Sequence, residues 1–180
     1  WSSDVCSSDL APFIEALKCE NVKNSYRLIL YGNTISNEKW NQLGLSEIAE
    51  YRGWLDYSKD VSTLKDIDVF LQLLDDNNVS KAGWPNKLGD YLAFGKPVIL
   101  SPYGDIIDFV KNEKGFFIVE YNKYSILKIL QEIKDIPYSD LKTMGYANRQ
   151  LAEKISWKNR AKNIEYICNK IRFNNETVKN

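Results

Sequence analysis

Histidine is absent from all 180 residues, which excludes His-based catalytic triads, His metal sites and an imidazole acid or base in this chain. An excess of either charge is missing too, since 24 Lys and Arg balance 24 Asp and Glu. Nothing therefore draws the chain as a whole to nucleic acid or to an anionic membrane, and any phosphate site must be local. No apolar run reaches the roughly 18 residues that a spanning helix needs. Cysteine is sparse, and Cys6, Cys19 and Cys168 have neither metal-ligand nor paired spacing, the pattern of a reducing compartment. A soluble, cytoplasmic protein is the expectation.

What is present fits one folded domain. Hydrophobic residues make up 44% and charged residues 27%, close to the average for globular domains, and a chain of this size buries about two-thirds of its unfolded surface. The first ten residues, Trp1 to Leu10, stand apart. They are rich in Ser and Asp, show neither helical nor strand periodicity and lack the basic flank of a signal peptide. They resemble the translation of a common short-read sequencing adapter, the alternative being a native polar tail, so residues 1–10 are set aside as non-native, and the reading frame is expected to begin further upstream.

From residue 11 helical and strand patterns alternate as in repeated βα units, which predicts an α/β fold with a doubly wound parallel sheet. The pattern predicts a helix over Ala11 to Lys23 and a strand over Arg27 to Tyr31 ended by Gly32-Asn33. A helix over Asn37 to Leu43, a strand over Glu50 to Leu55 and a helix over Ser58 to Leu64 follow. Asp68 to Leu74 is the most continuous apolar run, suited to a central strand, and a polar loop over Asp75 to Gly83 leads out of it. Pro85 to Phe94 reads as a helix stopped by Gly95, with strands at Pro97 to Leu100 and Gly115 to Val119 on either side of a short helix at Asp105 to Lys111. Helices at Lys123 to Lys134, Ser139 to Ile155 and from Ser156 or Trp157 complete the chain, with a frayed tail at 173–180.

Ligands of open α/β sheets sit beyond the carboxyl ends of the strands. The segment Trp84-Pro-Asn-Lys-Leu-Gly-Asp-Tyr-Leu-Ala-Phe-Gly-Lys-Pro-Val-Ile99 begins a helix there, and its free N–H groups form a ready anion site. Lys87 falls in the first turn, where the macrodipole disfavours a cation by up to about 1 kcal/mol. Either a bound anion offsets that cost, or Lys87 is solvated and paired with Asp90 at i,i+3. Asp90 is likewise either a surface carboxylate or a bidentate acceptor for a ribose diol. Asp75, Asp76, Asn77 and Asn78 read as a solvated loop.

The segment from Pro85 to Ile99 resembles the P-N-K-L-x-[DE]-Y-L-A-x-G-K-P-V-I stretch of family 4 glycosyltransferases. The likeness extends to Tyr31-Gly32, Arg52-Gly53-Trp54-Leu55, Ser101 to Asp105 and Ile155-Ser-Trp157. It implies the Rossmann-like C-terminal half of a GT-B enzyme over residues 11–172, closed by C-terminal helices. It also implies diphosphate contacts at Lys87, Leu88 and Gly89, a ribose contact at Asp90, and a base pocket at Gly53, Trp54 and Leu55. The first acidic residue of the family's Glu, seven residues, Glu pair falls on Ala82, which cannot accept a sugar hydroxyl; backbone groups or Asn78 are the substitutes, and Gly104 lies by the same cleft. The family's phosphate-binding Arg and Lys would lie upstream of Ala11.

The implied activity is transfer of a sugar, with retention, from a nucleoside-diphosphate sugar to a glycan or lipid-linked acceptor. No metal or other cofactor is expected, nor any nucleic-acid partner. The acceptor site would lie on a missing N-terminal domain, which would also supply any peripheral attachment to the inner membrane. The alternative is a non-catalytic Rossmann-like module that binds a nucleotide or a protein, with Ala82 as its support. A phosphoacceptor receiver domain fits less well, because the long C-terminal helices have no place in it.

Overall fold

A computed structural model describes residues 7–32, 35–56, 61–82 and 84–177. The start of the adapter-like segment, Asn33, Gly83, the first turn of the helix expected from Ser58 and the last three residues lie outside this set. Five strands, all in parallel pairs, alternate with helices. β1 (Leu28–Leu30) pairs with β2 (Ala49–Tyr51). β3 (Phe70–Gln72), β4 (Val98–Leu100) and β5 (Phe116–Ile118) form a second ladder in the order β3-β4-β5.

Helices cover both faces, as parallel sheets require. On one face α1 (Ser7–Leu17) packs on α6 (Lys123–Lys134). Their Phe13, Ile14, Leu17, Ile126 and Leu130 join Leu30, Leu73, Ile99 and Phe117 in one core. On the other face α4 (Asn86–Phe94) packs on α7 (Tyr138–Lys154), and Leu88, Leu92 and Leu151 join Phe70, Val98 and Leu100 in a second. The alternation of Val98, Ile99 and Leu100 between the two cores is the period-two geometry of a strand buried on both sides. Leu88 and Leu92 are fully buried, each worth about 1.5–3 kcal/mol.

Local chemistry accounts for the boundaries. Gly95 ends α4 in the left-handed conformation (φ 66°), and its N–H returns to the Leu92 carbonyl. Gly53 (φ 74°) turns the chain out of β2, so that strand stops at Tyr51 rather than reaching Leu55. α1 begins at Ser7 and ends at Leu17, displaced from the expected Ala11 to Lys23. After Leu17 the chain tightens into turns, with Asn24 at φ 68°, a conformation that Asn tolerates. The shift puts Pro12 inside the helix, whereas a helix starting at Ala11 would hold it in the first turn, where its missing N–H costs nothing.

Two further differences concern polar segments. The expected loop after β3 contains α3 (Asn78–Ala82), because the Asn77 side chain caps it by accepting the Ser80 N–H at 2.7 Å. Residues 61–66 form a 3₁₀ helix. α2 (Asn37–Gln42) and α5 (Ile106–Val110) are short. α8 (Trp157–Thr177) runs through the start of the tail expected to fray, since no Pro or Gly interrupts it. Among the described residues no helix is long and apolar enough to cross a membrane.

Candidate functional site

The first turn of α4 is open. Its N-cap is Pro85 (φ −70°, ψ 107°), whose side chain makes no capping bond, and the Leu88 N–H turns back to the Pro85 carbonyl at 3.0 Å. Asn86 and Lys87 therefore carry the outermost amides at the positive end of the helix. The Leu88 amide, an expected diphosphate contact, has this carbonyl as a partner, and the Leu88 side chain is wholly in the core.

That helix end borders a cleft of about 1230 Å³ lined by Trp84, Pro85, Asn86, Lys87 and Asp90. Lys87 and Asp90 thus reach the same cleft from one face of α4. At Gly89 a β-carbon would meet nothing within 4 Å, so the backbone is approachable there.

The remaining expected residues divide. Gly53 has open space around its α-carbon. Leu55 is buried in the second core and lines the cleft wall. Trp54 is 59% exposed and lies in neither core. On α3 the cleft is lined by Val79 and Ser80, while Asn78 and Ala82 are exposed and do not line it. Gly104 (φ 80°) rests against this helix, where a β-carbon would come within 3.0 Å of the Lys81 carbonyl oxygen and 3.1 Å of that of Ser80. Local partners hold the acidic loop: Asp75 accepts from Asn77 and from the Ser80 hydroxyl, and Asp76 pairs with Lys81, whose ammonium is pushed up by that contact.

Arg52 and Tyr31, which carried part of the resemblance but were given no role at the site, line the cleft where β2 and β1 end. Arg52 Nε donates to Glu50 Oε1 at 2.9 Å and Nη1 to the Tyr31 hydroxyl at 3.3 Å, while that hydroxyl donates to Thr63 Oγ1 at 3.0 Å. Glu50 also pairs with Arg27 at 2.6 Å. The Arg52 hydrogen bond is the main cause holding the Glu50 carboxyl below its ordinary range, and Glu50 raises the guanidinium in return. A fixed cation at the carboxyl end of a strand was the available signal. Ser101, fully buried, accepts the Leu74 N–H at 2.9 Å and so ties the ends of β3 and β4 together.

Residues 9–151 match the sequence profile described as Glycosyl transferases group 1. Sucrose-phosphate synthase from Thermosynechococcus elongatus superposes with a TM-score of 0.69 at 15% identity, over 91% of this chain and 42% of that one. HepE from Anabaena, in complex with UDP and glucose, gives 0.61 at 15% identity, over 79% and 39%. The C-terminal domain of LpcC, a group 1 family glycosyl transferase from Francisella tularensis, gives 0.61 at 15% identity, over 83% and 80%. A search of curated proteins gives no sequence match. The chain spans about two-fifths of the length of the first two structures. With parallel sheets covered by helices on both faces and a family profile over most of its length, this chain belongs to the group 1 glycosyl transferases and has the Rossmann-like α/β architecture of GT-B enzymes.

Proposed function

We propose that the chain is the donor-binding half of a retaining, family 4 type glycosyltransferase, and that the complete protein moves a sugar from a nucleoside-diphosphate sugar to a glycan or lipid-linked acceptor. The observation that carries this reading is the uncapped start of α4, with Lys87 and Asp90 facing one cleft. The diphosphate is the leaving group. Its growing negative charge meets the Asn86 and Lys87 amides and the Lys87 ammonium, a preorganised electrostatic role that needs no metal. Asp90, one turn deeper, accepts the ribose hydroxyls, and the base rests against Gly53 to Leu55. In support, HepE was crystallised with UDP and with UDP-glucose.

On this reading residues 1–10 are not native, the domain proper is 11–172, and the acceptor site and any attachment to a membrane surface belong to an N-terminal domain. The chain alone then binds nucleotide weakly and transfers no sugar. Calorimetric titration with UDP and with its 2′,3′-dideoxy analogue tests the assignment. Asp90→Ala should weaken UDP about tenfold, consistent with loss of a hydrogen bond to a charged group, and leave the dideoxy analogue unaffected. Equal UDP affinity in both proteins removes the ribose role. Ala82 favours a second reading, a nucleotide-binding module without chemistry, which transferase assay of the complete protein separates from the first.

A further inference from the structure

The ends of β1 and β2 are tied into one corner. The Arg52 N–H bonds the Leu30 carbonyl at 2.9 Å, the Gly32 N–H bonds the Gly53 carbonyl at 3.0 Å, and the Tyr51 hydroxyl donates to the Gly32 carbonyl at 2.7 Å. The backbone of Arg52 is fixed by these bonds. Its head is fixed as well, with Nε on Glu50 and Nη1 on the Tyr31 hydroxyl, and the side chain is 27% exposed. A guanidinium carries five N–H groups in one plane. Among the described residues two of them are engaged in this way, so the others are held in a set direction on the wall of the cleft.

A group held like this offers donors and no acceptor. Glu50 already offsets part of its charge, so what it presents to the cleft is direction more than net charge. That suits a neutral carbonyl oxygen better than a second anion. The anion site proposed above also lies elsewhere, for α4 packs against β3 of the other ladder, and Lys87 and Asp90 border the cleft from that side.

We propose that Arg52 selects the nucleobase of the donor: it takes bases with a carbonyl on the edge remote from the ribose, uracil and guanine, over cytosine and adenine, which carry an amino group there. This rests on the nucleotide-sugar reading. With the diphosphate at the start of α4 and the ribose at Asp90, the base is the part of the donor left to reach the β1–β2 ladder. It meets that ladder by the edge opposite its bond to ribose, where uracil holds O4 and guanine O6. Gly53, next to Arg52, has open space where a side chain would stand, which leaves room for a flat ring. Cytosine or adenine would set an amino donor against the donors of Arg52 and leave both unpaired, a mismatch that polar sites reject strongly.

Calorimetric titration of this chain with two pairs of nucleotides tests the assignment: UDP against CDP, and inosine diphosphate against ADP. Each pair differs only in the carbonyl or amino group at that edge and in the proton on the neighbouring ring nitrogen. In the pair that binds more tightly, the carbonyl member should be favoured about tenfold or more, as expected for a hydrogen bond to a charged group. Arg52→Met should weaken that member about tenfold and leave its amino counterpart unchanged. Tyr31→Phe, which releases one side of the guanidinium without touching Glu50, should narrow the preference, and it carries the test if Arg52→Met does not fold. Equal binding within both pairs overturns the role of Arg52 while the donor reading stands. So does a folded Arg52→Met that weakens both members alike, the mark of a phosphate contact, or neither, the mark of a purely structural ion pair. If none of the four nucleotides binds, the donor reading fails and the base selection fails with it.

Discussion

The carbonyl oxygen of Gly95 lies 2.1 Å from where a β-carbon on Gly145 would sit. α7 thus crosses the end of α4 backbone to backbone, and any side chain at 145 must push the two helices apart. Gly145→Ala should cost about 1–3 kcal/mol, as overpacking does, read from urea unfolding. Gly89→Ala, with open space around it, should instead stabilise by up to about 1 kcal/mol, because Ala favours a helix interior. Equal effects at the two sites would contradict this packing.

Asn148 is fully buried on α7, where its Nδ2 donates to the carbonyls of Lys96 at 2.8 Å and Gly115 at 2.9 Å. It joins the segments that enter β4 and β5. Asn148→Leu strands both acceptors and should cost about 1–3 kcal/mol for each one left buried and unpaired. A chemical denaturation midpoint unchanged from that of the parent would show that water replaces the amide.

Lys87 should act on phosphate and not on nucleoside. Lys87→Ala is expected to weaken UDP about tenfold, about 1.4 kcal/mol, while uridine affinity stays the same, and the difference should shrink as salt rises. Titrations at two ionic strengths decide it, since a merely solvated lysine would leave both ligands unaffected.

Tyr26 donates its hydroxyl to the Leu130 carbonyl between β1 and α6. Burial, with the nearby Asp135 charge, pushes its pKa up from 10.0 to about 12. A folded-state pKa above the unfolded one gives a contribution that is complete below pH 10 and lost as pH climbs to 12. Alkaline unfolding followed from pH 9 to 12 should show this decline, and Tyr26→Phe should flatten it. An identical slope in the variant would assign the decline to other groups.

Much of the fold was legible because its punctuation is local. Pro85 and Gly95 bracket α4 in the sequence as they do in space, and the apolar run around Phe70 does lie beneath helices on both faces. The strands proved shorter than their apolar runs, since a ladder needs a partner as well as a pattern, and among the described residues β3 has one on a single side. α3 escaped notice because five residues capped by Asn77 carry no periodicity. At the site, Lys87 and Asp90 were placed in the first turns of one helix by the sequence, and their roles came from the resemblance of the segment from Pro85 to Ile99. The place of Arg52 at the cleft was not legible, for it depends on Glu50 and Tyr31, and the latter lies in another strand-end loop. Asn148 reads as surface in a polar helix, and only the convergence of two distant carbonyls makes it interior.

The turn at Gly104 lies flush against the carbonyls of Ser80 and Lys81. The loop after β4 and the short helix after β3 are thereby a single mechanical piece, and Ser80 of that piece forms part of the cleft wall. A side chain added at position 104 would press on the backbone of this helix, so a change at that turn is felt at Ser80 in the cleft wall without any substitution in the wall itself.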